Sequence, residues 1–386
     1  MKNLFFSILF LGFLANSQSY NPNYANVSNQ VSQSNITAYL QEFENIGVKA
    51  TGTAANNNAF TWLKNKYLSF GYPETAISRD NFTYGGQATA NLILTKMGTK
   101  YPNTFIIICG HYDTITGPGT NDNGSGVSVI LEAARLLKDV STEYSIKFIN
   151  FSGEEQGLLG SAHYVSSVVN ATSPKMNIRL VLNIDEVGGI KGQNNDTVTC
   201  ERDESNNPTA NNSTSNTFTQ QLMNCVTLYS PLKTNLSYAY ASDYMPFQSN
   251  GEVITGLFEY NETPYAHTAN DKYINLDPVY IYNIAKATVG AIQHFAVAGQ
   301  TLDTCTPKEV VMSFRFYPNP AKDYLQLEFL NSKTQRFTFT ITDFEGKTLS
   351  KTENQTRIDI SALSKGIYLG SFKVADQVIT KKIIVE

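Results

Sequence analysis

The sequence predicts an α/β domain built on a mixed, largely parallel central sheet with helices on both faces, followed by a small C-terminal all-β sandwich. Three observations carry this expectation. First, TFIIIC (104–109), SIKFINF (145–151), IRLVLNI (178–184) and VITGLF (253–258) are short β-rich runs, apolar on both faces. Such runs suit central strands covered on each side. Second, VSVILEAARLLKD lies between the first two and sets Val127, Ile130, Leu131, Ala134 and Leu137 on one helical face. Strand–helix–strand order gives parallel pairing. Third, the character changes from about Thr306, where short alternating strands separated by turn residues take over.

Taken in chain order, MKNLFFSILFLGFLANSQSY places Lys2 before an apolar run from Leu4 to Leu14, with small Ala15 and Ser17 behind it. That is the pattern of a secretory signal peptide, expected over residues 1–19. The run is too short for a membrane span, which needs about 20 residues, and no later stretch supplies a permanent one. A polar Asn/Ser/Gln-rich lead (20–35) precedes helical patterns at Ile36–Ile46 and Ala59–Phe70, the second carrying Phe60, Leu63, Tyr67 and Phe70. A last helix-like segment (279–298) ends where Gly299, Cys305 and Pro307 interrupt it. The catalytic-sized domain is therefore expected over 20–303 and the sandwich over 304–386. In the latter, Tyr317-Pro318-Asn319-Pro320 is a turn, and strands are expected at 324–329, 336–342, 367–374 and 378–386. The stretch CERDESNNPTANNSTSN (200–216) reads as an insertion at a pocket rim.

Composition narrows the function. The 386 residues hold 29 Lys+Arg against 33 Asp+Glu, a net charge of −4, and this excludes the basic face a nucleic-acid binder needs. Four cysteines are too few for a disulfide framework. Four cysteines allow three pairings among which the sequence does not choose; a Cys200–Cys225 disulfide is compatible with export, Cys109 is read as a buried strand residue, and Cys305 as free in the linker.

The chemistry lies at the strand ends. TFIIIC runs into Gly110-His111-Tyr112-Asp113, SIKFINF into Ser152-Gly153-Glu154-Glu155, IRLVLNI into Asp185-Glu186, and VITGLF into Glu259 and then His267. Open α/β sheets bind ligands outside the carboxyl ends of their strands. Two histidines with several carboxylates form a nitrogen/oxygen set suited to zinc. Asp122, in GPGTNDNGSGV just before a helix, is placed to bridge two cations. Glu154 and Glu155 divide naturally into a proton carrier and a ligand. His163 and His294 are expected to be structural or surface residues. Glu186 and Glu259 are expected at most to support the ligands from behind, and Asp243 and Asp271 to orient loops by bonding to backbone.

GHYDT (110–114), GTNDNGSGV (119–127), FSGEEQGLLGS (151–161), LNIDEVG (182–188), SDYMPF (242–247) and AHTANDKY (266–273) together resemble the clan MH di-zinc aminopeptidases of the bacterial leucyl aminopeptidase type. The resemblance covers roughly residues 36–298. It implies two Zn²⁺ held by His111, Asp122, Glu155, Asp185 and His267, with Asp122 bridging and Glu154 as general base. Asp113 would accept the other ring N–H of His111, and Tyr238 or Tyr240 would contact the developing oxyanion. The implied substrates are peptides with a free N-terminus, and the aromatic-rich chain suggests a hydrophobic first-residue pocket. A glutaminyl cyclase on the same fold is the alternative. The tail motifs FYPNPAKDYL (316–325), TDFEGKTL (342–349), GIYLGSF (366–372) and KKIIVE (381–386) resemble the C-terminal sorting domain of type IX secretion cargo. That implies the type IX machinery as a partner, with a secreted or cell-surface location.

Overall fold

The computed structural model describes residues 18–171, 173–204, 206–299, 314–329, 337–343, 347–374 and 377–386. The expected signal peptide lies outside them up to residue 17, as does Cys305. The chain forms two compact units, residues 1–301 and 302–386.

In the first unit, helices α1 (Pro22–Ser28), α2 (Gln33–Asn45) and α3 (Ala54–Ser69) precede strands β1 (Ile77–Tyr84), β2 (Gln87–Lys96) and β3 (Tyr101–His111). Helix α4 (Gly124–Leu137), β4 (Tyr144–Phe151), α5 (Leu159–Tyr164), β5 (Asn177–Ile184) and β6 (Thr197–Arg202) follow. The unit closes with α6 (Asn212–Tyr229), β7 (Lys233–Tyr238), α7 (Met245–Ser249), β8 (Ile254–Glu259) and α8 (Pro278–Phe295). One eight-stranded sheet runs β1-β2-β4-β3-β5-β8-β6-β7. Its four central strands are mutually parallel; β1 pairs β2 and β2 pairs β4 antiparallel, β6 runs antiparallel to β8, and β7 runs parallel to β6.

The side-chain period of two sends β3 residues Ile106 and Ile108 into the core under α4 and α8, and Ile107 and Cys109 into the core beneath α5 and α7. Burying each such side chain contributes about 1.5–3 kcal/mol, so both faces need their helices. Register then levels the strand ends: His111 sits opposite Phe151, and Ile184 opposite Leu257. The residues that follow emerge along one rim.

Sequence patterning read the four central strands and left out β1, β2, β6 and β7, of which β2 and β6 are largely buried. The hairpin β1–β2 turns through Gly85 and Gly86, both at positive φ, and β1 is largely exposed. The stretch read as a rim insertion is instead the end of β6, the start of α6 and the link between them; α6 buries Phe218, Leu222, Cys225 and Val226. Within the polar lead, α1 forms because Asn21 caps it, Pro22 opens it, and Tyr24, Ala25 and Ser28 are buried. Its Tyr24 hydroxyl donates to the Ala298 carbonyl at 2.7 Å. The Cys200–Cys225 disulfide that export permits does not form: Cys109, Cys200 and Cys225 are free and buried. Cys200 on β6 and Cys225 on α6 contribute to one apolar cluster, and burial pushes the Cys225 thiol up to about 12. The single tryptophan of the chain, Trp62 on α3, donates Nε1–H to Glu42 of α2 at 2.6 Å and packs against Phe43.

In the second unit, β9 (Phe314–Tyr317), β10 (Tyr324–Phe329), β11 (Thr338–Thr342), β12 (Thr348–Glu353), β13 (Arg357–Asp359), β14 (Gly366–Val374) and β15 (Gln377–Val385) form two antiparallel sheets. Their orders are β13-β10-β9 and β12-β11-β14-β15. Leu325, Leu327 and Ile358 from one sheet share a core with Phe339, Ile341, Phe372 and Ile383 from the other. Among the described residues, no helix is long and apolar enough to cross a membrane.

The join between α4 and β5 tolerates no side chain. Asn123 caps α4 by accepting the Gly126 N–H at 3.0 Å, and its Nδ2 donates to the Ile184 carbonyl at 2.8 Å. A Cβ on Gly126 would lie 2.4 Å from both Asn123 Oδ1 and the Ile184 carbonyl oxygen. Gly126→Ala is expected to lower unfolding free energy by about 1–3 kcal/mol. Urea denaturation followed by circular dichroism checks this, and an unchanged midpoint would contradict it.

Candidate metal centre

His111 is the last residue of β3, and its buried imidazole faces two carboxylates. Its Nε2 lies 3.1 Å from Asp122 Oδ1 and 3.4 Å from Asp185 Oδ1. The other Asp122 oxygen, Oδ2, lies 3.0 Å from His267 Nε2, which is also 2.9 Å from Glu155 Oε2. Asp122 thus separates two nitrogen/oxygen sets, His111 with Asp185 and His267 with Glu155. Glu154 Oε2 is 4.0 Å from His111 Nε2, on the first side. The structure brings together all six residues that the sequence assigned as ligands or base.

The chain positions each of them locally. Asp271 accepts the N–H groups of Asn121 (2.7 Å) and Asp122 (3.0 Å), one on each oxygen, so it does orient a loop through backbone. His267 and Glu186 occupy left-handed backbone conformations, φ 56° and 41°. Non-glycine residues rarely adopt these, and they recur at functional sites. His267 is also the most open member of the group, with its side chain 56% exposed.

Other residues fall differently from expectation. The Asp113 carboxylate is 3.7 Å from His111 Nδ1, whereas the Asp113 carbonyl oxygen is 3.1 Å away. The carbonyl therefore meets the ring. The carboxylate turns instead to the acidic turn after β4, where it accepts the N–H groups of Glu154 (3.3 Å) and Glu155 (3.4 Å) and the Thr51 hydroxyl (3.1 Å). Asp243 is wholly buried, yet no backbone N–H bonds to its carboxylate, so it does not orient a loop in the expected way; Ser161 faces it instead. Tyr238 and Tyr240 are both exposed. Tyr238 lies under the Arg202 guanidinium at 5.3 Å. The Tyr240 hydroxyl is raised by partial burial and by Glu201, Glu262, Glu186 and Asp185, which puts it within the field of the site's carboxylates. His163 pairs with Asp80, and His294 accepts or donates at the Tyr229 hydroxyl; both are structural.

Sequence reasoning missed Ser242, whose hydroxyl donates to Asp185 Oδ2 at 2.5 Å, and Asn183, which donates to Ser242 at 2.8 Å. Both stand inside quoted motifs, SDYMPF and LNIDEVG. Nothing local marked Thr51.

The donor set fits a divalent cation. Ligand atoms of His111, Asp122 and Glu155 all lie within 4.8 Å of one another. Asp185 Oδ1 is buried and accepts no hydrogen bond. Burial, reinforced by Asp185, Asp243 and Asp113 against His111, pushes Glu154 up to about 9. Burial and Asp122 push Glu155 up to about 7. Hydrogen bonding to Asp122 and the charge of Glu155 lift His267 to about 9. His111 is raised as well, because Asp185, Glu154 and Asp122 outweigh its burial, while Asp122 is held low against its own burial by the two imidazoles.

A sign follows for the metal-free protein. Groups raised in the fold contribute stability that is fully present below their ordinary values, 4.5 for Glu and 6.5 for His. That contribution is lost as pH rises through about 7 to about 9. Chelator-treated protein is therefore expected to melt at progressively lower temperature as pH rises across this window. Zinc needs neutral imidazoles and ionised carboxylates, so its stabilisation should widen over the same window. Calorimetry of treated and zinc-loaded samples measures both, and a constant gap between them would refute the charge argument.

Comparison with known proteins identifies the family and the fold. Residues 91–292, more than half of the chain, match the model of peptidase family M28. Residues 315–386 match the secretion system C-terminal sorting domain. Aminopeptidase YwaD of Bacillus subtilis is 41% identical over 108 residues, 27% of this chain and 23% of that protein; the match thus spans under a quarter of the relative's length. The Legionella pneumophila LapA aminopeptidase structure superposes with a TM-score of 0.63 at 21% identity, covering 75% of this chain and 76% of that one. A Fimbriiglobus ruber glutaminyl cyclase structure gives a TM-score of 0.55 at 15% identity, covering 68% and 95%. These two likenesses speak to fold alone, and they agree with the mixed sheet and its helices. On the family match, with the level strand ends and acidic rim beneath it, the chain belongs to peptidase family M28 and carries a secretion-system sorting domain at its C-terminus.

Proposed function

We propose that the chain is an exported zinc-dependent aminopeptidase that removes N-terminal residues from peptides. The observation that supports this best is the division of His111 with Asp185 and His267 with Glu155 across the two oxygens of Asp122. Each set would hold one zinc ion, with Asp122 between them. When bound, two such ions supply Lewis-acid polarisation of the scissile carbonyl and ready deprotonation of the attacking water.

The chain's own groups do the rest. Glu154 takes the proton of the attacking water on its carboxylate and passes it to the leaving amine nitrogen. Its burial beside other carboxylates raises its proton affinity, which suits a group that must hold a proton between two steps. The Asp113 carboxylate steadies the turn that presents Glu154 and Glu155. Ser242 occupies one oxygen of Asp185 and leaves the other for the ion. The same carboxylate-rich rim would hold the substrate's free α-ammonium group, which makes the activity an exopeptidase one. Tyr240, rather than the arginine-stacked Tyr238, is assigned to the developing oxyanion. The sorting-domain match supports export through the type IX machinery, to a secreted or cell-surface location.

The test compares wild type with Glu154→Gln on free and N-acetylated peptides, with zinc quantified in both proteins. Expected are retained zinc, turnover lower by about two to four orders of magnitude, and no cleavage of acetylated peptide by either. A zinc-loaded Glu154→Gln protein with normal turnover would remove Glu154 as the base. Pyroglutamate formation from a Gln peptide without hydrolysis would select the glutaminyl cyclase alternative.

A further inference from the structure

Glu259 is the last residue of β8, 2% exposed, and it takes no part in the ligand sets. Its carboxylate nevertheless gathers three donors from three loops. Oε1 accepts the Thr263 N–H at 2.6 Å and the Asn121 Nδ2–H at 3.1 Å, and Oε2 accepts the Gly189 N–H at 2.7 Å. Asn121 returns the contact by accepting the Gly188 N–H at 2.7 Å. The Glu259 N–H donates to the Glu186 carbonyl at 2.9 Å. The three loops are those that carry Asp122, Asp185 and His267.

We infer that Glu259 is a positioning residue that sets the distance between the two halves of the metal centre, an assignment that rests on the two-zinc peptidase reading. The halves differ in how they are anchored. His111 ends β3 and Asp185 directly follows β5, so the sheet itself fixes that pair. His267 lies out on the loop beyond β8, with an open side chain and left-handed backbone. Near its start, that loop is tied through Thr263 to Glu259, and at its end through Asp271 to the Asp122 loop. Only a carboxylate serves here. It offers acceptors in both directions, whereas an amide in its place would turn an N–H against the N–H of Gly189 or against Asn121 and Thr263. Losing the clamp should loosen His267 relative to Asp122 and leave His111 and Asp185 in place.

The experiment is a zinc titration of metal-free wild type, Glu259→Gln and Asn121→Ser against a chelating indicator that resolves two binding steps, with folding checked by circular dichroism. Glu259→Gln is expected to weaken the weaker step by about 10–100-fold, the range for residues that orient ligands, and to leave the tighter step within about threefold. Asn121→Ser removes one arm and should act on the same step to a smaller extent; it carries the test alone if the glutamine variant does not fold. In the double variant the losses should fall short of additive. A general loss of stability would weaken both steps together, and that result overturns the clamp. So does a folded variant with both steps unchanged, or a wild type with one step only. Wild type that binds two zinc ions in the expected manner and cleaves no peptide would instead remove the peptidase reading and leave the clamp intact.

Discussion

One carboxylate between two imidazoles governs the rim of this protein. Asp122 spends both oxygens on His111 and His267, so its position fixes the separation of everything else that can bind there. A buried anion of this kind persists only where partners are set around it. The fold meets that need by starting α4 immediately after Asp122 and tying the helix cap to the end of β5.

The remaining acids divide by what they face. Asp185 and Glu155 turn toward the imidazoles. Asp113, Asp271 and Glu259 turn away and each grips two backbone N–H groups: those of Glu154 and Glu155, of Asn121 and Asp122, and of Gly189 and Thr263. Charge-assisted bonds to backbone are stronger than neutral ones and fix the loop's main chain directly. The same residue type thus builds both the candidate ligand set and the brackets that hold it.

That duality marks the limit of what the sequence discloses. The four central strands and the residues that converge on the rim were legible, because apolar runs buried on both faces end abruptly in His, Asp or Glu. Strand β1 and helix α6 were not, since a half-exposed or an Asn/Ser/Thr-rich segment lacks a decisive period, and the largely buried β2 and β6 went unread as well. Glu259 and Asp185 both follow an apolar strand, yet only the arrangement of neighbouring loops separates bracket from ligand. Asp113 was expected to meet the imidazole of His111; the atom nearest the ring is its carbonyl oxygen rather than its carboxylate, a distinction that no spacing records. The cysteine pair misled for a simpler reason: export permits a disulfide, but burial among apolar side chains explains both residues without one.

The lone indole has its own consequence. Trp62 reports on the contact of α2 with α3 through Glu42 and Phe43, and residues 302–386 contain no tryptophan at all. Tryptophan emission, excited apart from that of the tyrosines, therefore follows the first unit and is blind to the second. A single smooth emission transition would describe the melting of one body, while the β-rich tail could open earlier or later unseen.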